Sequence, residues 1–287
     1  MKQKRNIIGN LLSLPAFMLI LFVMILPVGY AIYYSLLDCD YMKITGFVGL
    51  ENYKEFFASD LMMQTLFRTF VLSFCSLIIS LLIGLLLALW IHGSKGPFAF
   101  ALQIVGLIPW VTSMVVAALL WQWILQTDTG LLNYLISRIG LDKIVILNDK
   151  RNAFIALTIV MAWRCVGYAM VQILAGLKSI PRDYEEAAEV DGCGKFQVFR
   201  YIRMPLLKTP LLLSAIIITL SNFNNLTVPQ VLTNGGPGNA TRVLSLAMYQ
   251  EGFQFYRFGF SSTIACIMFV INLLLVISYV KAVKYEV

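Results

Sequence analysis

The sequence predicts an all-α polytopic membrane protein with about six transmembrane helices, and three observations carry that prediction. Of its 287 residues, 59% are hydrophobic and only 13% are charged, and the mean hydropathy is +0.80. The apolar residues gather in runs close to the ~20 residues needed to cross a bilayer. Between those runs no segment has the length of an ordinary soluble domain, so chemistry that needs a water-exposed catalytic fold must come from another subunit. Helices are the economical way through lipid, because an open sheet edge leaves backbone groups unsatisfied there.

Six spans are placed at about Leu11–Leu36, Leu66–Ile91, Phe98–Leu125, Ala153–Leu177, Leu206–Leu226 and Phe258–Val280. The first follows the basic segment Met1–Arg5. It is too long for the apolar region of a signal peptide and lacks a clear small-residue cleavage site, so it is read as a retained span. Pro15 and Pro27 in the first span and Pro109 in the third remove backbone donors and are expected to bend those helices, Pro109 most of all as the most interior. The chain is read as one permease domain over residues 1–287, with an N-terminal helix at 11–36, core spans over 66–280, a cytoplasmic loop at 178–210 and an extracytoplasmic loop at 227–257. No internal repeat is evident between its halves.

Orientation follows from the basic residues. With the N-terminus inside, twelve Lys and Arg fall on inside segments and nine on outside ones, while Arg164 lies within a span. That bias favours both termini and the 178–210 loop facing the cytoplasm. It also accounts for the net charge of +7 without nucleic acid, which is not an expected partner. Outside, Asp38–Thr65 mixes polar and aromatic residues. Leu131, Leu132, Leu135, Ile136 and Ile139 have the spacing of a short amphipathic helix. Thr227–Arg257 opens with Pro229 and the turn-prone Asn234-Gly235-Gly236-Pro237-Gly238, which predicts a re-entrant loop followed by a short helix across Val243–Phe255.

Several function classes find no support. The five cysteines (Cys39, Cys75, Cys165, Cys193, Cys266) are scattered and odd in number, so neither a disulfide framework nor a metal cluster is expected. No clustered His, Asp or Cys could carry catalysis, and no Walker A sequence is present. The chain is therefore expected to be no enzyme and to bind no cofactor or metal. His92, beside Gly93 at the end of a span, reads as a boundary residue. A self-sufficient secondary transporter stays open as the alternative, although it would normally show repeats with broken helices and intramembrane acids.

The segment Lys178–Pro210 stands apart, with six of the 22 Lys+Arg and five of the 15 Asp+Glu. Pro181 suits a first helical turn, and Asp183, Glu185 and Glu186 complement the dipole behind it. Gly192, about three turns on, can take the left-handed conformation that closes a helix. A second helix, Lys195–Arg203, is expected to stop at Met204-Pro205. Ala187 and Ala188 leave the first helix one slim face edged by acids, a shape suited to a groove on a partner.

These residues carry a resemblance. Glu186-Ala187-Ala188, then Asp191-Gly192, then Ile202 and Met204-Pro205 are similar to the EAA loop of binding-protein-dependent ABC importer permeases, with Met204 where leucine is usual. Leu174-Ala175-Gly176-Leu177-Lys178-Ser179-Ile180-Pro181, Asn222-Phe223-Asn224-Asn225, Leu232-Thr233-Asn234-Gly235-Gly236-Pro237-Gly238 and Gly49-Leu50-Glu51-Asn52-Tyr53 extend the likeness to MalF-type carbohydrate-uptake permeases. The resemblance implies the type I ABC importer permease fold in a bacterial cytoplasmic (inner) membrane. It also implies a second homologous permease, two ATP-binding subunits that hold ATP and Mg, and an extracytoplasmic solute-binding protein that delivers a sugar. It further implies that Tyr184, Glu185, Glu186, Ala187, Ala188, Asp191, Gly192 and Pro205 couple the chain to those ATPases.

In the same pattern the sugar is contacted from the helices on either side of the loop. Those positions fall on Arg164, Cys165 and Tyr168, and on Ile218, Ser221, Asn222 and Asn225. Amide and hydroxyl partners beside an aromatic face suit a hydroxyl-rich ligand, and Asn222 and Asn225 are one turn apart on the expected helix. Bridging between helices is the competing role for these polar residues. Ile218 is apolar where a polar contact would be expected, and Arg164 is an ionisable group at mid-span, open to two roles: binding an anionic or uronic-type substrate, or pairing with an acid or backbone carbonyl of the partner permease.

Overall fold

The computed structural model describes residues 14–15, 17–41, 43–94 and 96–284. Met1–Arg5, residues 11–13 of the first span and Lys95 lie outside them, as do residues 285–287. The described residues are mostly helical: α1 (Phe17–Ser35), a β1–β2 hairpin (Leu37–Asp40 and Lys43–Phe47), α2 (Glu51–Ala58), α3 (Asp60–Gly93), α4 (Pro97–Val111), α5 (Met114–Ile124), α6 (Leu131–Arg138), α7 (Lys150–Lys178), α8 (Arg182–Val190), α9 (Lys195–Leu206), α10 (Lys208–Phe223), α11 (Thr227–Leu232), α12 (Leu244–Tyr249) and α13 (Phe258–Lys284). Among them α1, α3, α7 and α13 are each long and apolar enough to cross a membrane, and the bent pairs α4–α5 and α9–α10 raise the number to as many as six.

The chain forms two compact units. One comprises the residues up to Met63 with Ala247–Val270, and the other Gln64–Leu246 with the residues from Ile271 onward. In the first, α2 is fastened to the end of α1 by Asn52, whose Nδ2 donates to the carbonyls of Ser35 and Leu37 at 3.0 Å each. Tyr53 adds a 2.8 Å bond to Ser35 Oγ. Arg257 joins this unit through a two-pronged pair with Glu55 at 2.7 and 2.8 Å. The hairpin was not expected from the mixed composition of Asp38–Thr65. Its four-residue strand alternates buried and exposed positions, too short a pattern to separate from a loop.

In the second unit α7 is the central element. Leu157, Val160, Ala169, Met170 and Ile173 are fully buried on it. Its approach to α4 is backbone to backbone at Gly167. A Cβ there would collide with the carbonyl oxygen of Gly106.

Three breaks correct the expected spans. The third span is not one helix through 98–125, because α4 and α5 meet at 98°. Pro109 lies inside α4, and the turn comes later, at Thr112 (ψ 140°) and Ser113 (ψ 133°). Proline forbids its own N–H bond but not the two residues after it, and Thr112 Oγ1 takes the Ile108 carbonyl at 2.7 Å as the helix ends. The fifth span ends at Phe223 rather than Leu226. Pro205 does not stop the helix that begins at Lys195, which runs to Leu206 before bending by 60° into α10. Ahead of it, Phe199–Arg203 forms a π turn closed by the Met204 N–H on the Phe199 carbonyl. The wider turn spares the carbonyl that a proline ring would meet in an α-helix. Pro27 uses the same device, with a π turn at Leu21–Ile25 closed by the Leu26 N–H on the Leu21 carbonyl.

The two short helices expected in the loops are present: α6 covers Leu131–Arg138, and the segment after Pro229 leads into α12, which continues as a π turn over Gln250–Gln254.

Candidate functional site

Two regions gather the residues that the sequence singles out. The first is the charged segment after α7. α8 begins at Arg182, one residue past Pro181, with Asp183 and Glu185 in its first turn. It ends in a Schellman closure: Gly192 has φ +82°, and the Cys193 N–H returns to the Ala188 carbonyl at 2.9 Å. Ala188 is buried, whereas Glu186, Ala187, Asp191 and Gly192 are exposed. Tyr184, Val190, Phe196 and Tyr201 also expose large apolar side chains across α8 and α9, an unusual concentration for a loop that faces water.

Glu185 has a different role from its acidic neighbours. Its carboxylate accepts from Arg203 Nε at 2.7 Å and from Nη2 at 2.8 Å, which clasps α8 to α9. The hydrogen bonds from Arg203 hold the Glu185 carboxyl below the usual range, against the opposing effect of burial, and Arg203 is raised in turn. A depressed carboxyl contributes stability above its unfolded pKa and loses it as pH falls through the folded value. Amide protection across α8 and α9, corrected for intrinsic exchange, is therefore expected to hold from neutral pH down to the ordinary glutamate range and to fall below it. Arg203→Ala should remove that pH-linked protection and cost on the order of 1 kcal/mol. Unchanged protection in the variant would show that the clasp does not order the pair.

The second region lies within the membrane-spanning part. Asn222, near the end of α10, is buried and donates from Nδ2 to Ser76 Oγ of α3 at 2.7 Å. Its Oδ1 accepts from Cys165 Sγ of α7 at 3.5 Å. One side-chain amide thus joins three helices. Tyr168 stacks at a tilt on Trp110 of α4, with centroids 4.7 Å apart, and its hydroxyl accepts from Gln172 at 3.3 Å. Ser221 is half-buried.

Ile218 is fully buried among Leu77, Ala169, Met170 and Ala215, so it packs between helices and lines no opening. Asn225 does not share a helical face with Asn222, because α10 has ended at Phe223. Its Oδ1 instead accepts the Val228 N–H at 3.0 Å, at the start of α11, and its Nδ2 reaches Met114 Sδ at 3.7 Å. The two breaks, at 112–113 and 224–226, are thereby brought together, and α5 packs on α11. Unwound backbone at such depth is tolerated where protein covers it or a cavity receives it.

Arg164 is 6% exposed, and its Nε has no hydrogen-bond partner; Ser73 Oγ, one turn from Ser76 on α3, is likewise buried without one.

Sequence reasoning missed Ser76, Trp110, Met114 and Gln172. For Ser76 a signal exists. Thr65, Thr69, Ser73, Ser76 and Ser80 recur at helical spacing through an apolar run, and all five are buried. Ser80 Oγ also crosses to the Ala162 carbonyl of α7 at 3.0 Å. Small hydroxyl residues at that spacing are how membrane helices approach closely and bond across.

The family of binding-protein-dependent transport system inner membrane components matches residues 80–283. The trehalose/maltose transport system permease protein MalF of Thermococcus litoralis is 32% identical, over 100% of this chain and 97% of its own length. The sulfoquinovosyl glycerol transport system permease protein SmoG of Agrobacterium fabrum is 29% identical, over 97% of this chain and 91% of its own. Among solved structures, a chain of a bacterial ABC transporter involved in the import of the acidic polysaccharide alginate superposes with a TM-score of 0.85 at 22% identity, covering 98% of this chain and 96% of that one.

Proposed function

The chain belongs to the family of binding-protein-dependent transport system inner membrane components, and from that premise we propose that it is the permease subunit of an ATP-driven importer that passes a saccharide inward. The observation that carries this reading is the construction of α8: a short exposed helix, capped by Gly192 and clasped through Glu185 to α9, which leads into the membrane-spanning α10. A push on α8 is transmitted to α10, and α10 holds the amide that binds α3, α7 and itself together. The exposed Tyr184, Val190, Phe196 and Tyr201 provide an apolar surface for an ATPase to grip.

In this reading two ATP-binding subunits hold ATP and Mg on the cytoplasmic side, and a second homologous permease completes the pathway. An extracytoplasmic solute-binding protein delivers the substrate. Both termini face the cytoplasm, as the Lys and Arg distribution favours. The whole chain acts as one permease domain. The names of the relatives, one a trehalose/maltose permease and one a sulfoquinovosyl glycerol permease, support a saccharide as the substrate class. Tyr168, Ser221 and the amides of Asn222 and Asn225 supply the aromatic and polar groups that such a ligand needs. Cys165 and Ile218 act as their packing support.

Reconstitution tests the assignment. Uptake into proteoliposomes is expected to require the ATPase subunits, the binding protein and ATP, and uptake that persisted without them would restore the secondary-transporter alternative. Tyr168→Ala should raise the substrate concentration for half-maximal uptake by roughly tenfold, the scale of one lost aromatic contact, while ATP hydrolysis at rest stays measurable. An unchanged half-saturation value would remove Tyr168 from the pathway.

A further inference from the structure

The sites described above leave one strong group unexplained. Arg164 stands at the middle of α7, is 6% exposed, and makes no hydrogen bond or ion pair among the described residues; its Nε is fully enclosed and unsatisfied. A guanidinium cannot escape by losing its proton. Burying such a charge is tolerated when an anion or a set of acceptors meets it. Asp and Glu are absent from the interiors of α3, α4, α5, α7, α10 and α13, so none of these helices brings a carboxylate to meet it.

The position of the group narrows what meets it. Arg164, Tyr168 and Gln172 recur at four-residue intervals and form one stripe along α7. Arg164 also adjoins Cys165, which bonds to Asn222. The second unsatisfied buried group, Ser73 Oγ, lies one turn from Ser76, the other partner of Asn222. The two unsatisfied groups therefore lie within one helical turn of the two partners of Asn222, one on α3 and one on α7. A cation that donates in a planar fork, together with a hydroxyl, suits an oxyanion.

We propose that the transported saccharide carries an acidic group, a carboxylate or sulfonate, and that Arg164 is the residue that pairs with it. The inference rests on the saccharide-permease reading above and adds the charge of the substrate to it. Selection by this pair comes from the permease itself and is independent of what the binding protein prefers.

The test is equilibrium binding to the assembled importer in lipid nanodiscs with the binding protein left out. The probes are a panel of uronic disaccharides, each matched with its carboxyl-reduced neutral form. Wild type is expected to hold at least one acidic member about tenfold or more tightly than its neutral match, the scale of a hydrogen bond to a charged group. Arg164→Gln should bring that ratio close to one, and Arg164→Lys, which keeps the charge but loses the fork, should retain part of it.

A wild type without preference for acidic members, or a preference that survives Arg164→Gln, overturns the proposal. So does an Arg164→Gln chain that fails to assemble with its partner permease while wild type favours neutral sugars, because the charge then serves assembly. If Arg164→Gln fails to assemble but wild type favours acids, the Lys variant decides: a retained preference supports the pairing, and a lost one with intact assembly overturns it. Failure of every probe, acidic and neutral alike, sinks the saccharide reading itself, an outcome distinct from the others.

Discussion

Gly167→Ala is expected to destabilise the assembled protein by about 2 kcal/mol or more and to lower its yield in the membrane, although it adds a single methyl group. The reason is that the new carbon has no side chain to displace. It meets the Gly106 carbonyl oxygen and, at 3.1 Å, the Leu107 Cα, so α4 and α7 must move apart as whole helices. Moving them separates Trp110 from Tyr168 and loosens the seam beside the amide junction. Gly106→Ala, on the opposite wall, is the control. Its added carbon meets only the Sδ and Cε of Met170, at 2.9 and 3.0 Å, the flexible end of an adaptable side chain. Thermal unfolding of the two variants in detergent should therefore show a clearly lower midpoint for Gly167→Ala than for Gly106→Ala. Equal midpoints would mean that the close approach is not what holds this seam.

Gly192→Val is the second large effect. Nothing lies within 4 Å of the carbon that a side chain would add, so crowding is no obstacle. The cost is in the backbone: φ is +82°, a region that costs an ordinary residue about 1–2 kcal/mol and a β-branched one more. Valine should undo the closure that returns the Cys193 N–H to the Ala188 carbonyl and fray the last turn of α8. ATP-linked uptake is expected to fall by about tenfold or more, as 1.4 kcal/mol at the coupling step would produce, with membrane insertion intact. Gly192→Asn, which enters the left-handed region readily, should keep most of the activity. If valine transports as well as asparagine, the closure of α8 does not matter for coupling.

The parts that were legible in the sequence are those set by neighbours along the chain. Pro181, the acids after it and Gly192 define α8 because dipole, proline geometry and positive φ are local effects. Runs of twenty apolar residues define α3, α7 and α13 for the same reason. What was not legible depends on contacts distant in sequence or on backbone compensation. Ser76 meets Asn222 across 146 residues, and nothing local marks either as the partner of the other. Pro109 is where the donor is missing, but the third span turns at Thr112-Ser113, where α5 departs to lie on α11. Asn225 carried the spacing of a helical face, yet it serves as the start signal of the next helix. Along the chain Glu185 is one of several acids, and what sets it apart is Arg203, 18 residues on, closing on it.

The π turns ahead of Pro27 and Pro205 bear on how the helices are phased. A widened turn holds one residue more than its α equivalent, and at 3.6 residues per turn one residue is worth about 100° of rotation. The five residues Phe199–Arg203 thus act as a phase shifter: they set which way the final turn of α9 points before the chain bends into α10. Replacing Pro205 with alanine would remove the steric reason for that extra residue, and the gain in regular hydrogen bonding would come with a rotated exit. The effect of the proline is angular: it aims α10 from the end at which the α8–α9 segment enters it.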